Sequence, residues 1–201
     1  MMIGTKILES RKSKFNDELR VLKTLGMGTY IQSDGLTQSG GIVESIWSQT
    51  LKRINNDKLI IKNCLILGLG GGTVVKLIKK YWPKAKITGV DIDPVIIELG
   101  KKYLGLDLIN IDIKTQDAAK PVTGKFDLVL VDLYKGDKFP EKFESEKFLK
   151  SLTKNKLVVF NRLTFKGNKN EALKFGKKLH EIFSKVEYYY PVTNLMFFCQ
   201  K

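Results

Sequence analysis

The residues of this chain best suited to chemistry are a run of glycines and three aspartates. Gly68-Leu69-Gly70-Gly71-Gly72 follows the apolar stretch Cys64-Leu65-Ile66-Leu67 and precedes a segment of helical periodicity from Thr73 to Trp82, closed by Pro83. Glycines between a buried strand and a helix let backbone come close to a ligand and aim unbonded N–H groups at it. Gly68, Gly70 and Gly72 therefore suit nucleotide binding in general, while a tight turn imposed by helix-on-strand packing is the plainer reading of the same pattern. The next short strand, Ile87 to Asp91, ends in a carboxylate about twenty residues after the loop, where it can accept both hydroxyls of a ribose. Asp93, just before Pro94, suits a helix N-cap instead. Asp117 follows a third strand, and Asp132 ends a fourth, Phe126 to Val131, that is apolar except for Asp127. Both fall on the edge where open α/β sheets bind ligands. Asp132 should point its carboxylate into that crevice, or else cap the loop that follows.

The remaining candidates are weaker in chemical content. Cys64 and Cys199 each lie inside an apolar run, so neither a disulfide framework nor a metal site is expected. His180, the only histidine, falls in a late amphipathic helix, where packing or solvent contact explains it. Asn161-Arg162 follows a fifth strand, Leu157 to Phe160, on the ligand edge and could contact an acceptor. Tyr188-Tyr189-Tyr190 reads as cover for a sheet edge.

These residues need a scaffold, and the order of elements supplies one. Residues 6–38 mix β-prone and polar residues with Gly26, Gly28 and the turn Ser33-Asp34-Gly35, which predicts short antiparallel strands. Ile42, Ile46, Trp47, Leu51 and Ile54 then recur at helical spacing. From Cys64 onwards strands alternate with helices: Val95 to Tyr103 is helical, Ile109 to Ile113 is the third strand, and helices are predicted over 144–152 and 170–183. This order predicts a parallel sheet covered on both faces. The last two β runs, Val186 to Tyr190 and Leu195 to Cys199, are so close that they must form a hairpin, making the last strand antiparallel. The expected fold is α/β: a Rossmann-like, doubly wound, mostly parallel seven-stranded sheet with an antiparallel last strand, plus a small N-terminal β extension. Residues 1–40 form the extension and 41–201 the nucleoside-binding domain.

Composition agrees with this. With 201 residues, 43% of them hydrophobic, the chain is long enough for one domain with a sizeable core. No apolar run approaches the ~18 residues of a membrane span, and the charged start is no secretory signal, so a cytoplasmic protein with no membrane partner is expected. The formal charge of +14 favours acidic partners. Lysines on solvated helical faces account for much of it, with nucleic acid as an alternative partner.

The motif series resembles a known family. Leu65-Ile66-Leu67-Gly68-Leu69-Gly70-Gly71-Gly72-Thr73, Gly89-Val90-Asp91-Ile92-Asp93-Pro94, Thr115-Gln116-Asp117 and Phe126-Asp127-Leu128-Val129-Leu130-Val131-Asp132 together resemble the S-adenosylmethionine-binding fold of class I methyltransferases. Within that group the segment Tyr30-Ile31-Gln32-Ser33-Asp34-Gly35-Leu36-Thr37-Gln38 is similar to the Asp-Gly-x-x-Gln segment of the spermidine synthase branch. The resemblance implies a ribose-binding role for Asp91, an adenine contact for Asp117, a ligand contact for Gln38 and amine deprotonation by Asp132. It also implies S-adenosylmethionine, or its decarboxylated form, as the bound nucleoside, and a small-molecule acceptor as second partner. A homodimer paired through the N-terminal strands stays open.

Departures from both family patterns shape the expected reaction. Aminopropyltransferases of that branch carry an aspartate inside the glycine loop and another three residues after the catalytic one, where this chain has Gly70 and Lys135. Many methyltransferases carry an acid two residues before the first loop glycine, where Ile66 stands. Loss of the loop acid removes a barrier to a donor carboxylate, and Lys135 disfavours a polyamine, whose desolvated charges need carboxylates. The expectation is therefore an S-adenosylmethionine-dependent methyltransferase, with aminopropyl transfer from the decarboxylated donor as the alternative and a non-catalytic nucleoside-binding module as a third reading.

Overall fold

A computed structural model describes residues 4–165 and 167–201. Four antiparallel strands come first: β1 (Thr5–Ser13), β2 (Asp17–Thr24), β3 (Gly28–Ser33) and β4 (Leu36–Gly40), each hydrogen-bonded to the next. Asp34 and Gly35 both have positive φ, 47° and 78°, and join Ser33 to its register partner Leu36. This is the two-residue turn whose twist matches that of the strands it connects. Helix α1 (Gly41–Asn56) follows at once and buries Ile46, Trp47, Thr50, Leu51 and Ile54.

The second sheet has seven strands: β5 (Asn63–Leu67), β6 (Lys86–Asp91), β7 (Asp112–Thr115), β8 (Leu128–Val131), β9 (Leu157–Leu163), β10 (Lys185–Tyr189) and β11 (Asn194–Gln200). Their spatial order is β10-β11-β9-β8-β5-β6-β7. Pairing is parallel from β7 through β9, and β11 is antiparallel to both of its neighbours. The reversal of strand order lies between β5 and β8, so a crevice opens there at the C-terminal strand ends. The helices between strands are α2 (Thr73–Tyr81), α3 (Pro94–Leu104), α4 (Glu146–Leu152) and α5 (Lys169–Ile182).

Alternation along the central strands sorts their side chains into two cores. Cys64 and Ile66 of β5 and Leu128 and Leu130 of β8 join the core that includes Trp47, Ile78 and Leu99. Leu65, Leu67, Val129 and Val131 join the opposite core, built on Phe148, Phe175 and Leu179. The first core also takes in Leu19, Val21 and Ile31, so the N-terminal sheet shares its apolar interior with the larger one. Cys64 and Cys199 are free, buried and assigned to opposite cores.

Three element boundaries differ from expectation, each for a local reason. Gly105, at φ 67°, ends α3 and leads into a short 3-10 turn over Leu106–Leu108, so β7 begins at Asp112 rather than Ile109. The fourth strand starts at Leu128, because the Asp127 side chain accepts the N–H groups of Lys62 and Asn63 beside it. The fifth runs on to Leu163 because Asn161, Arg162 and Leu163 pair with Met196, Leu195 and Asn194.

Candidate active site

A cavity of about 620 Å³ opens at the C-terminal ends of β5, β6, β8 and β9. Its floor is the glycine loop. Gly68 has φ 90°, and a Cβ there would lie 2.0 Å from the Asp132 carbonyl oxygen; a Cβ on Gly72, at φ 84°, would strike Leu106 at 2.4 Å. Both positions therefore exclude any side chain. Gly70 lines the cavity and donates its N–H to Asp91 Oδ2 at 2.7 Å, while Asp91 Oδ1 accepts the Asp93 N–H at 3.0 Å. Burial pushes the Asp91 carboxyl up to about 6 despite these two N–H groups.

Asp93 is fully buried and caps α3 as its position before Pro94 predicts, accepting the Val95 N–H at 2.9 Å. Its other oxygen accepts Ser13 Oγ and Asn16 Nδ2, at 2.5 and 2.6 Å, from the β1–β2 turn. Phe15 and Asn16 of that turn line the cavity. The cap therefore also clamps the N-terminal sheet over the site.

Asp132 is half-buried at the end of β8, and each of its carboxylate oxygens holds one neutral donor. Trp47 Nε1 donates to Oδ2 at 2.8 Å and Asn161 Nδ2 to Oδ1 at 2.7 Å. Asn161 Oδ1 in turn accepts Asn194 Nδ2 at 2.7 Å. Burial raises the Asp132 carboxyl above its ordinary value, and the two donors offset only part of that rise. Sequence reasoning had Trp47 as core and missed Asn194; both act through one polar atom that hydrophobic periodicity does not register.

Asp117 lines the cavity from beyond β7, with Oδ2 on Lys142 Nζ at 2.5 Å and Oδ1 on the Ala119 N–H at 2.9 Å. Burial opposes its ionisation, but Lys142 and the N–H outweigh burial and hold the carboxyl below its ordinary value. Lys142 was not foreseen. Gln38, on β4, lines the cavity as well. The structure thus brings Gln38, Gly68, Gly70, Asp91, Asp117 and Asp132 to one cavity, with Gly72 beneath it at the start of α2.

Arg162 is a correction to the reading of Asn161-Arg162 as an acceptor-contacting pair. Asn161 lines the cavity, but strand alternation turns Arg162 away, where it pairs with Glu144 at 2.8 Å and lies over the rings of Phe139 and Phe175. His180 stacks on Tyr188, away from the cavity.

The sequence matches the family model of the spermine/spermidine synthase domain over residues 53–195. It is 35% identical over 89 residues to a probable polyamine aminopropyl transferase of Bifidobacterium longum, covering 43% of this chain and 20% of the relative. A spermine synthase of Saccharomyces cerevisiae is 27% identical over 206 residues, covering 93% of this chain and 66% of that protein. The chain spans 20% to 47% of the first curated relatives it matches. Spermidine synthase from Thermotoga maritima superposes with a TM-score of 0.77 at 19% identity, covering 96% of this chain and 72% of that one.

These matches overturn the expectation of a methyltransferase, since the matched family and its curated relatives are spermine/spermidine synthases and aminopropyl transferases. The structure shows why the glycine loop misled. Gly70 has φ 56°, and a Cβ there would stand 2.7 Å from Ser39 Oγ on β4. The left-handed backbone and the close approach of Ser39 both favour glycine at this position, a packing reason that is independent of the donor.

Proposed function

From the premise that this chain belongs to the spermine/spermidine synthase family, we propose that it transfers the aminopropyl group of decarboxylated S-adenosylmethionine to an amine. The observation that carries the reading is Asp132, a partly desolvated carboxylate at a sheet's C-terminal edge, held by Trp47 and Asn161 and open to a cavity large enough for a nucleoside. The glycine loop and Asp91 support the nucleoside half, with Asp91 accepting the ribose hydroxyls and Asp117 and Gln38 contacting the rest of the donor. Asp91 meets the Gly70 N–H, so ribose and loop are registered to each other.

The donor's sulfonium is already activated, so the protein has to align the reactants and handle one proton. An acceptor amine arrives as an ammonium and must lose that proton before its lone pair is free. Asp132 accepts it, and burial, by raising the carboxyl's affinity for protons, suits it to the task. The amine nitrogen then attacks the aminopropyl carbon next to sulfur. The C–N bond forms, the C–S bond breaks, and its electron pair stays on sulfur in methylthioadenosine. Trp47 and Asn161 keep the carboxylate in one orientation throughout.

The test is to incubate the protein with decarboxylated S-adenosylmethionine and primary amines, measuring methylthioadenosine and aminopropylated amine together. Equimolar appearance of both is expected. A protein that binds neither the donor nor methylthioadenosine in calorimetry would sink the reading.

A further inference from the structure

The acceptor half of the cavity differs in charge from the nucleoside half. Sheet order separates them: Gly70, Asp91 and Asp117 lie over β5, β6 and β7, whereas Asp132, Lys135, Leu163 and Asn194 lie over β8, β9 and β11. Among the described residues three acids line the cavity, Asp91, Asp117 and Asp132, so the acceptor half holds one carboxylate. That carboxylate is committed to the reacting nitrogen. Around it the walls are apolar, from Ile42, Val43, Leu163 and Phe165, or neutral, from Thr193 and Asn194.

The charge at the mouth is positive and its backbone is fixed. Lys135 lines the cavity, is exposed, and makes no ion pair among the described residues. Its N–H donates to the Lys138 carbonyl at 3.0 Å, and the Lys138 N–H donates back at 3.2 Å. Gly136, at φ 61°, lets the chain reverse between them. The only acid in this turn, Asp137, does not line the cavity. Tyr134, beside Lys135, anchors the loop to β9: its hydroxyl accepts the Leu163 N–H at 2.8 Å and donates to the Asn161 carbonyl at 3.1 Å.

We propose that the acceptor is an amine with its one positive charge at the reacting nitrogen and a carboxylate or a neutral group at its far end. A second ammonium would have to lose its water in an apolar passage with no carboxylate to receive it, and would approach Lys135. A carboxylate at the same distance meets the Lys135 ammonium. This assignment rests on the aminopropyl-transfer reading and narrows its substrate class, with Lys135 as the residue that sets specificity.

Three amines with the same four-methylene spacer isolate the far end: 5-aminopentanoate, n-pentylamine and putrescine, titrated calorimetrically into protein saturated with methylthioadenosine. The expected order is 5-aminopentanoate, then pentylamine, then putrescine, with the first at least ten-fold tighter than the last. Lys135→Asp should reverse the extremes, and Lys135→Met should bring 5-aminopentanoate level with pentylamine. Putrescine binding as tightly as the others to the unaltered protein, no binding by any of the three, or an order unmoved by Lys135→Asp would overturn the assignment. Turnover with decarboxylated S-adenosylmethionine is read separately. The expected binding order without methylthioadenosine release would overturn the aminopropyl reading and leave the charge assignment of the cavity standing.

Discussion

At the scale of single residues, Asp132 and Asp91 are two carboxylates at the ends of β8 and β6, on either side of β5, with different partners. Asp132 receives side-chain donors and keeps lone pairs for a proton; Asp91 is tied to backbone. Asp132→Asn should leave methylthioadenosine affinity nearly unchanged but lower turnover by about 10²–10⁴-fold, the range for a lost general base. A fall in affinity equal to the fall in turnover would make it a binding residue instead. Asp91 gives a stability prediction with an unusual sign. Its carboxyl is raised from 3.8 to about 6 in the folded protein, so between those values the folded state holds a proton that the unfolded chain has lost. Stability from this group therefore falls as pH rises through that window, by about 3 kcal/mol for a shift of roughly two units. Followed in denaturant from pH 4 to pH 7, the unfolding free energy of the unaltered protein should fall by about that amount relative to that of Asp91→Asn, which does not titrate. A constant difference would show that Asp91 is not desolvated.

At the scale of elements, the glycine loop and α3 are held together at backbone distance. A Cβ on Gly100, within α3, would lie 2.5 Å from Gly71 Cα. Neither partner can yield as a flexible side chain would, so Gly100→Ala should cost at least the ~1–3 kcal/mol typical of overpacking. It should also weaken methylthioadenosine binding by displacing the loop, which a thermal melt with and without the nucleoside would separate. Loss of stability with unaltered affinity would mean that α3 moves and the loop does not. This contact marks how far the sequence could be read. The loop was legible because positive φ leaves glycine as its trace, and Asp91 and Asp132 were legible because each ends an apolar strand. Gly100 was not, since a helical glycine shows no partner until the chain is folded. Asn194 and Lys142 were illegible for the same reason, because their partners, Asn161 and Asp117, lie 33 and 25 residues away. The third strand was misplaced because Gly105 could end a helix without revealing the 3-10 turn behind it.

At the scale of the whole molecule, the formal charge of +14 acts on every ligand before it reaches the cavity. A field of that sign opposes the approach of a dication more than that of a monocation and leaves a zwitterion nearly unaffected. Among the described residues the acceptor half adds one carboxylate against this field, with Lys135 at its mouth. Long-range repulsion and local charge therefore act in the same direction on putrescine. Salt distinguishes a cavity of this kind from an acidic one. Between about 0.01 M and 0.15 M ionic strength the Debye length falls from about 30 Å to about 8 Å, which screens the surface charge. Putrescine binding to the protein saturated with methylthioadenosine should then strengthen as salt is added, pentylamine should respond in the same direction but less, and 5-aminopentanoate should change least. Were the far end of the site lined by carboxylates, as a diamine requires, added salt would screen attraction instead and putrescine would bind more weakly. Weakening of putrescine with salt would therefore count against both the role of Lys135 and the neutral lining of the acceptor half.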